Sequence, residues 1–355
     1  MNFTIGKHKI GLNEPTYFIA DIAANHDGSL KRAKKLIHLA AKAGATGAKF
    51  QNFKADKIVS RYGFEHLGGK LSHQSKWKNS VFEVYQEASI NPNWTSELKQ
   101  TCSEAGIDYF TSPYDFDSVD LVDSYVEVFK IGSGDISWLE ILDYIASKGK
   151  PVLIATGAAD LREVKKAMQV LLKRTKKIVL MQCNTNYTGA KENFKHINLN
   201  VLKTYQRLYP DIVLGLSDHT RGPATVLGAV ALGARVIEKH FTEDNKREGP
   251  DHAFSMNPKS FREMVDRARE LELALGDGIK RIEANETQSV IVQRRSLRAA
   301  RNLKKGDTLK REDLVALRPI PQGGIAPYQI KDVIGKRIKQ FIREGEHITW
   351  GKIYD

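Results

Sequence analysis

IVLGLSDHT (212–220) and RVIEKHFT (235–242) decide how the chain is read. Each is a short apolar run that stops at polar side chains. Ser217, Asp218 and His219 close the first, and Glu238, Lys239 and His240 close the second. A stretch with helical pattern, Pro223 to Leu232, lies between them. Short apolar runs that end in polar residues and then enter a helix are what barrel strands look like at their catalytic end. Two histidines at adjacent strand tips are suited to hold one divalent metal ion with positions left open for substrate. A single histidine more often satisfies a local hydrogen bond. A pair with carboxylates beside both favours a ligand role.

The pattern repeats outward from there. Strands are expected at 17–23, 46–53, 107–113, 126–134, 151–157, 177–186, 212–219 and 235–241. Helices are expected at 29–43, 92–105, 137–149, 160–173, 199–209, 223–232 and 258–275, with a short one between the third and fourth strands. Ser29 reads as an N-cap and Gly44 as a C-terminal stop. Strand–helix units over roughly 260 residues predict an α/β fold, a (β/α)8 TIM barrel. A doubly wound open sheet explains the matched strand tips less well. Residues 1–16 predict a hairpin that plugs the barrel's bottom, so the barrel domain is placed at 1–279. Residues 54–91 lack periodicity and are expected to form a long loop over the site. A polar linker is expected at 280–290, and a small β-rich domain at 291–355. In that domain KKGDTL (304–309) and REGEHI (343–348) resemble each other, each reading as a turn that enters a strand.

The 355 residues carry a formal net charge of +13, with lysines spread along the chain rather than in an aromatic-interleaved stripe. No nucleic-acid motif accompanies them, so a nucleic-acid partner is not expected. No apolar run approaches the ~20 residues of a membrane span, and no membrane association is expected. MNFTIGKHKIGLNEP lacks the apolar core of a secretory signal, and Cys102 and Cys183 suggest no disulfide framework. A cytoplasmic location is expected.

The other strand tips supply Asp21, Asn25 and His26, then Lys49 and Gln51, then Ser112. They continue with Lys130, Ser133 and Gly134, then Thr156 and Gly157, then Asn184, Thr185 and Tyr187. Two lysines among hydroxyls and glycines make an anion site, most simply one for phosphate plus carboxylate. A lysine that forms a Schiff base is the rival chemistry, although a metal pair and a Schiff base are rarely needed together. Asp251, in EGPDHAFSMNP, reads equally well as a sugar or proton-relay group and as a turn residue.

IADIAANHDGSL, AKFQNF, FKIGSGD, GLSDHT, VIEKHFT and GPDHAFSM, in this order, resemble the sialic acid synthase family. The tail, with KKGDTLKREDLVALRP and IREGEHIT, is similar to that family's antifreeze-like (SAF, β-clip) domain. The resemblance implies an enzyme, a transferase condensing phosphoenolpyruvate with N-acetylmannosamine or a related aldose, with C–O cleavage. It implies that Lys49, Ser112, Lys130, Ser133, Gly134, Asn184 and Ser217 hold phosphoenolpyruvate, and that Asp21, Glu238, Lys49 and Lys130 are catalytic. It also implies that His219 and His240 ligate Mn²⁺, or else Mg²⁺ or Co²⁺. Asp21, Gln51, Tyr187 and Asp251 would line the acceptor side, joined by Arg318 from the partner subunit of a domain-swapped homodimer. Asp21 and Ala23 stand where the family usually has Glu and Gly, and Ala155 replaces a Ser. QCNTNYT (182–188) departs at the sixth strand. These changes fall on the acceptor half more than on the phosphate and metal half. A Schiff-base aldolase on the same barrel and a non-catalytic sugar-binding homologue remain the alternatives.

Overall fold

A computed structural model describes residues 2–354, the side chains of Ser72 and Lys76 excepted. A hairpin of β1 (Phe3–Ile5) and β2 (His8–Ile10) precedes the parallel strands β3 (Tyr17–Asp21), β4 (Gly47–Asn52), β5 (Asp108–Pro113) and β6 (Phe129–Ile131). These are followed by β7 (Val152–Ala155), β8 (Ile178–Cys183), β9 (Val213–Asp218) and β10 (Ala234–His240). Each pairs with the next, and β10 pairs back with β3 to close the barrel. Every residue of β7, β8 and β9 is buried, which is why these strands read as unbroken apolar runs rather than alternating ones.

The helices are α1 (Leu30–Lys42), α2 (Ala55–Ile58), α3 (Arg61–Glu65), α4 (Val81–Ala88), α5 (Thr95–Glu104) and α6 (Phe116–Asp123). They continue with α7 (Leu139–Ser147), α8 (Leu161–Arg174), α9 (Val201–Leu208), α10 (Ala224–Ala231) and α11 (Pro258–Leu275). Their starts follow from local chemistry. Ser29 accepts the Arg32 N–H at the start of α1, and Asp160 forms a capping box with Glu163 at the start of α8. The hairpin lies against the N-terminal end of the barrel. Ile5 and Ile10 join the barrel core, and His8 and Tyr17 both reach Asp108 Oδ2, at 2.8 Å each.

Three expectations change. The fourth strand is Phe129–Ile131 only; Val126 and Val128 are buried without being part of the ladder. Residues 54–91 are not a structureless loop, because they contain α2, α3, a 3₁₀ turn at Ser72–Lys76 and α4. The expected linker holds a 3₁₀ turn at Ala284–Glu286 and the start of α12 (Thr287–Gln293).

The chain divides into two compact units, Met1–Gly276 and Asp277–Asp355. In the second, β11 (Ser296–Ala299) pairs antiparallel with β12 (Leu314–Leu317), and the short helix α13 (Ile330–Val333) follows. Leu297, Leu303, Leu309, Ile338, Ile342 and Ile348 are among the residues that build its own core. The two similar turns use one device. Asp307 accepts the Lys304 N–H at 2.9 Å and Glu346 accepts the Arg343 N–H at 2.9 Å. Gly306 and Gly345 take the left-handed conformation between them, at φ 91° and 78°.

Candidate active site

Strand register brings the expected groups together. Asp21 sits opposite Lys49 on one side and His240 on the other. Glu238 sits opposite Ser217, and Gln51 opposite Ser112. Alternation along a strand turns every second side chain inward, so Lys49 and Gln51 share a face, as do Ser217 and His219, and Glu238 and His240. The residues between them point outward. There Lys239 Nζ meets Asp218 Oδ2 at 2.8 Å, and Thr225, at the start of α10, donates to the same oxygen at 2.6 Å.

The inward groups form one buried charge network. Lys49 Nζ lies 2.7 Å from Asp21 Oδ2 and 3.7 Å from Glu238 Oε2, and donates to Ser112 Oγ at 3.5 Å. Lys130 Nζ lies 3.3 Å from Glu238 Oε1, which also accepts from Ser217 Oγ at 2.9 Å. Burial opposes ionisation of Glu238, but Lys130 and Lys49 override it and hold the carboxyl down to about 2. Burial also opposes charge on Lys49, yet Asp21 and Glu238 raise its pKa above the ordinary lysine value. Asp21 goes the other way, because burial lifts its pKa despite Lys49. Its Oδ1 accepts the Ala23 N–H at 3.1 Å, with Ala23 at φ 44°. That left-handed turn accounts for the usual glycine at this position.

The histidines suit a metal. Their ring centroids are 5.3 Å apart. His219 Nδ1 lies 2.8 Å from the Asn184 carbonyl, which can only accept, so Nδ1 carries the proton and Nε2 presents a lone pair. Burial lowers His219 to about 3 and His240 to about 4, keeping both rings neutral, as ligands require. His240 Nε2 lies 3.5 Å from Asp21 Oδ2. Among the described residues no group of three or more His, Cys, Asp or Glu is arranged to hold a metal. The fit is therefore to an ion held by two imidazoles, with its remaining positions left for water and substrate.

A cavity of about 330 Å³ opens above this network, lined by Gln51, Ser133, Gly134, Tyr187, His240 and Asp251 among others. Asp251 Oδ2 accepts the Ala24 N–H at 3.2 Å and lies 3.9 Å from His240 Nδ1. Ser133 Oγ accepts the Gly157 N–H at 3.0 Å, and a Cβ on Gly157 would come within 2.5 Å of Thr185. Some tip residues also make contacts away from the network. The Asn184 side chain donates to the His196 carbonyl at 3.4 Å, and its backbone carbonyl accepts from His219 Nδ1 at 2.8 Å. Asn25 ties Phe241 to Ser255, and His26 packs edge-on against Trp94. Arg318 belongs to the second unit, where it is exposed.

The sequence reading missed several lining residues: Asp135, Phe53, Tyr85, Tyr114, His73 and Trp77. Asp135 directly follows Gly132-Ser133-Gly134, so the FKIGSGD motif contained its signal. His73, Trp77 and Tyr85 lie in the stretch that was read as a loop, where no period marks them.

An eight-stranded parallel barrel with charged strand tips, followed by a small β unit, is the architecture of a barrel enzyme with an added domain. Residues 36–280 match the NeuB family and residues 294–353 match the SAF domain, and the chain belongs to the NeuB family. It is 35% identical over 340 residues to the N,N'-diacetyllegionaminic acid synthase of Campylobacter jejuni, covering 94% of this chain and 98% of that one. It is 30% identical over 340 residues to the N-acetylneuraminate-9-phosphate synthase of Homo sapiens, covering 96% and 93%. The crystal structure of an N-acetylneuraminic acid synthetase from Leptospira borgpetersenii superposes with a TM-score of 0.72 at 28% identity, covering 82% of this chain and 95% of that one. The chain is an enzyme, a transferase. Among the described residues no helix is long and apolar enough to cross a membrane.

Proposed function

We propose that the barrel condenses phosphoenolpyruvate with an open-chain aldose to give a sialic acid-like 2-keto-3-deoxy sugar acid and phosphate. The observation that carries this reading is the pairing of two buried lysines, Lys49 and Lys130, with a neutral histidine pair in one ring of strand tips. Lys49 and Lys130 bind the phosphate, and Ser112, Ser133, Gly134 and Ser217 orient it and the carboxylate. His219 and His240 would hold the divalent ion, Mn²⁺ first, which when bound supplies Lewis-acid polarisation of the aldehyde oxygen. The C2–C3 double-bond electrons of phosphoenolpyruvate form the new bond from C3 to the aldehyde carbon, whose oxygen takes the carbonyl pair and a proton to become a hydroxyl, and C2 is left electron-poor. Water adds at C2, and the tetrahedral intermediate expels phosphate with its bridging oxygen. Asp21 is the better placed carboxylate to take the water's proton. Burial raises the pKa of Asp21, which makes it the stronger base, whereas Lys130 and Lys49 hold Glu238 down to about 2. Glu238 instead keeps both lysines in place. Gln51, Tyr187 and Asp251 face the acceptor.

A Schiff-base aldolase needs a lysine with a lowered pKa, and Lys49 is pushed upward. A binding protein without turnover has no need of so complete a set of buried charges. We also infer that the enzyme works in the cytoplasm as a domain-swapped homodimer, with Arg318 reaching the partner's acceptor. The test is aldose-dependent phosphate release from phosphoenolpyruvate with Mn²⁺, run in ¹⁸O-water. Label is expected in the keto acid and not in the phosphate, and activity is expected to disappear with chelator. Label in the phosphate, or chelator-resistant turnover, would overturn the mechanism.

A further inference from the structure

Two groups that fix the His219 ring come from one arm, the end of β8 and the turn that continues it. The Asn184 carbonyl accepts from Nδ1 at 2.8 Å, and the Tyr187 ring packs on the imidazole with centroids 4.3 Å apart. The back of this arm is held by amides. Gln182 Nε2 donates to the Ile197 carbonyl at 2.9 Å, and Asn184 Nδ2 to the His196 carbonyl at 3.4 Å. Asn186 Oδ1 accepts from the Thr188 N–H at 3.0 Å, from Thr188 Oγ1 at 2.6 Å and from Asn193 Nδ2 at 3.1 Å. Asn193 is buried, and its Nδ2 also donates to Thr188 Oγ1 at 3.0 Å. Every second residue of the arm, 182, 184 and 186, is therefore bonded to the returning segment 193–197. The turn between them is closely seated. Gly189 takes the left-handed conformation at φ 60°, and a Cβ there would come within 2.9 Å of Phe254. The Phe254 ring in turn lies 4.9 Å from that of His240 and 5.9 Å from that of His219.

We propose that Asn193 and Thr188 are positioning residues, which with Asn186 form a clasp that holds Tyr187 against His219 and so fixes that imidazole for its ligand role. The proposal rests on the divalent-ion reading of the histidine pair above and adds what orients it. A single hydrogen bond at Nδ1 leaves an imidazole free to turn about that bond. A second ring packed on its face removes this freedom, and preorganised ligand rings bind an ion more tightly. A buried amide must place its own polar atoms, and Asn193 directs its Nδ2 to both Asn186 and Thr188. Neither Asn193 nor Thr188 is among the described residues that line the cavity, whereas Tyr187 is. Loss of the clasp therefore reaches the metal pair through Tyr187 rather than by a contact of its own.

The experiment titrates Mn²⁺ into the folded full chain with neither substrate present and follows the free ion by electron paramagnetic resonance. Asn193→Leu, of similar volume but without the donors, is expected to weaken Mn²⁺ binding by about tenfold, as loss of an outer partner of a ligand imidazole does. Thr188→Val should shift affinity in the same direction without disturbing the buried amide. Thr188→Ser keeps the hydroxyl and should retain wild-type affinity. In a Tyr187→Leu background, itself weakened, Asn193→Leu is expected to add no further loss. Unchanged Mn²⁺ affinity in the folded Asn193→Leu and Thr188→Val variants, or full additivity with Tyr187→Leu, would overturn the proposal. Weakened Mn²⁺ binding in the variants, with no aldose-dependent phosphate release from the wild type, would overturn the condensation reading and leave the clasp standing. A wild-type chain that binds no Mn²⁺ would overturn both.

Discussion

With one methylene fewer than glutamate, the carboxylate at the tip of β3 stays close to the strand. Asp21 Oδ2 is 2.7 Å from Lys49 and 3.5 Å from His240, and Oδ1 is tied to the Ala23 N–H. Asp21→Glu would carry the carboxylate outward, toward the space proposed for the aldose. The expected outcome is a changed order of preference across an acceptor panel, with KM for phosphoenolpyruvate moved no more than a few-fold. An unchanged order would argue against a specificity role. Asp21→Asn keeps the shape and removes the base, and should lower kcat by about 10²-fold or more while Mn²⁺ still binds by electron paramagnetic resonance. At this scale the sequence showed which residues meet, because polar groups at strand tips are few and must converge in a closed barrel. It did not show their partners. That the Asn184 backbone carbonyl meets the His219 ring, and that Asp135 lines the cavity, depend on tertiary placement that a strand pattern does not encode.

Alternation on β9 and β10 gives each histidine an outward neighbour, and those neighbours bond to each other. Lys239 and Asp218 are both buried, and Thr220 and Thr225 also donate to Asp218 Oδ2, at 2.8 Å and 2.6 Å. The outward pair therefore pins the two strand tips and the start of α10 in one register, with the His219 and His240 rings on the reverse side. Lys239→Met leaves Asp218 buried without its counter-ion and should destabilise the barrel by about 3–5 kcal/mol. Asp218→Asn combined with Lys239→Met should cost less than the sum of the single changes, measured by denaturation in a double-mutant cycle. Mn²⁺ affinity should fall in the double variant even where the fold is retained. Additive single effects would mean that the pair does not act as a unit. The strands and long helices were legible because their apolar patterns are long and their caps are local. Residues 54–91 were not, because α2, α3 and α4 are four to eight residues each, too short to show a helical period. Part of their apolar surface, Ile58, Trp77 and Val84 included, also serves the cavity rather than the barrel core.

For the whole molecule, the open issue is what the second unit does for the first. Its fold was foreshadowed by the two similar turns, which proved to share one hydrogen-bond device. The role proposed for it rests on Arg318. This residue follows β12, is exposed, and has no carboxylate partner among the described residues. An unpaired guanidinium on an added domain is the kind of group that completes a site elsewhere. Arg318→Ala should raise acceptor KM by about tenfold or more, the loss expected for a charged hydrogen bond, with KM for phosphoenolpyruvate little changed. Complementation then decides whose site it completes. Lys49→Met disables a barrel but keeps Arg318, and Arg318→Ala keeps the barrel but removes the arginine. If each subunit's arginine serves its partner, mixing and refolding the two variants produces heterodimers with one intact site. Assayed at acceptor well below KM, where Arg318→Ala keeps about a tenth or less of the wild-type rate and Lys49→Met almost none, random exchange predicts recovery of about a quarter of wild-type activity. If Arg318 serves its own barrel, every site in the mixture lacks either the lysine or the arginine, and activity stays at the mean of the two parents. Recovery at that ratio, together with a dimer by sedimentation, would establish the swap. Its absence in a mixture shown to exchange subunits would rule the swap out.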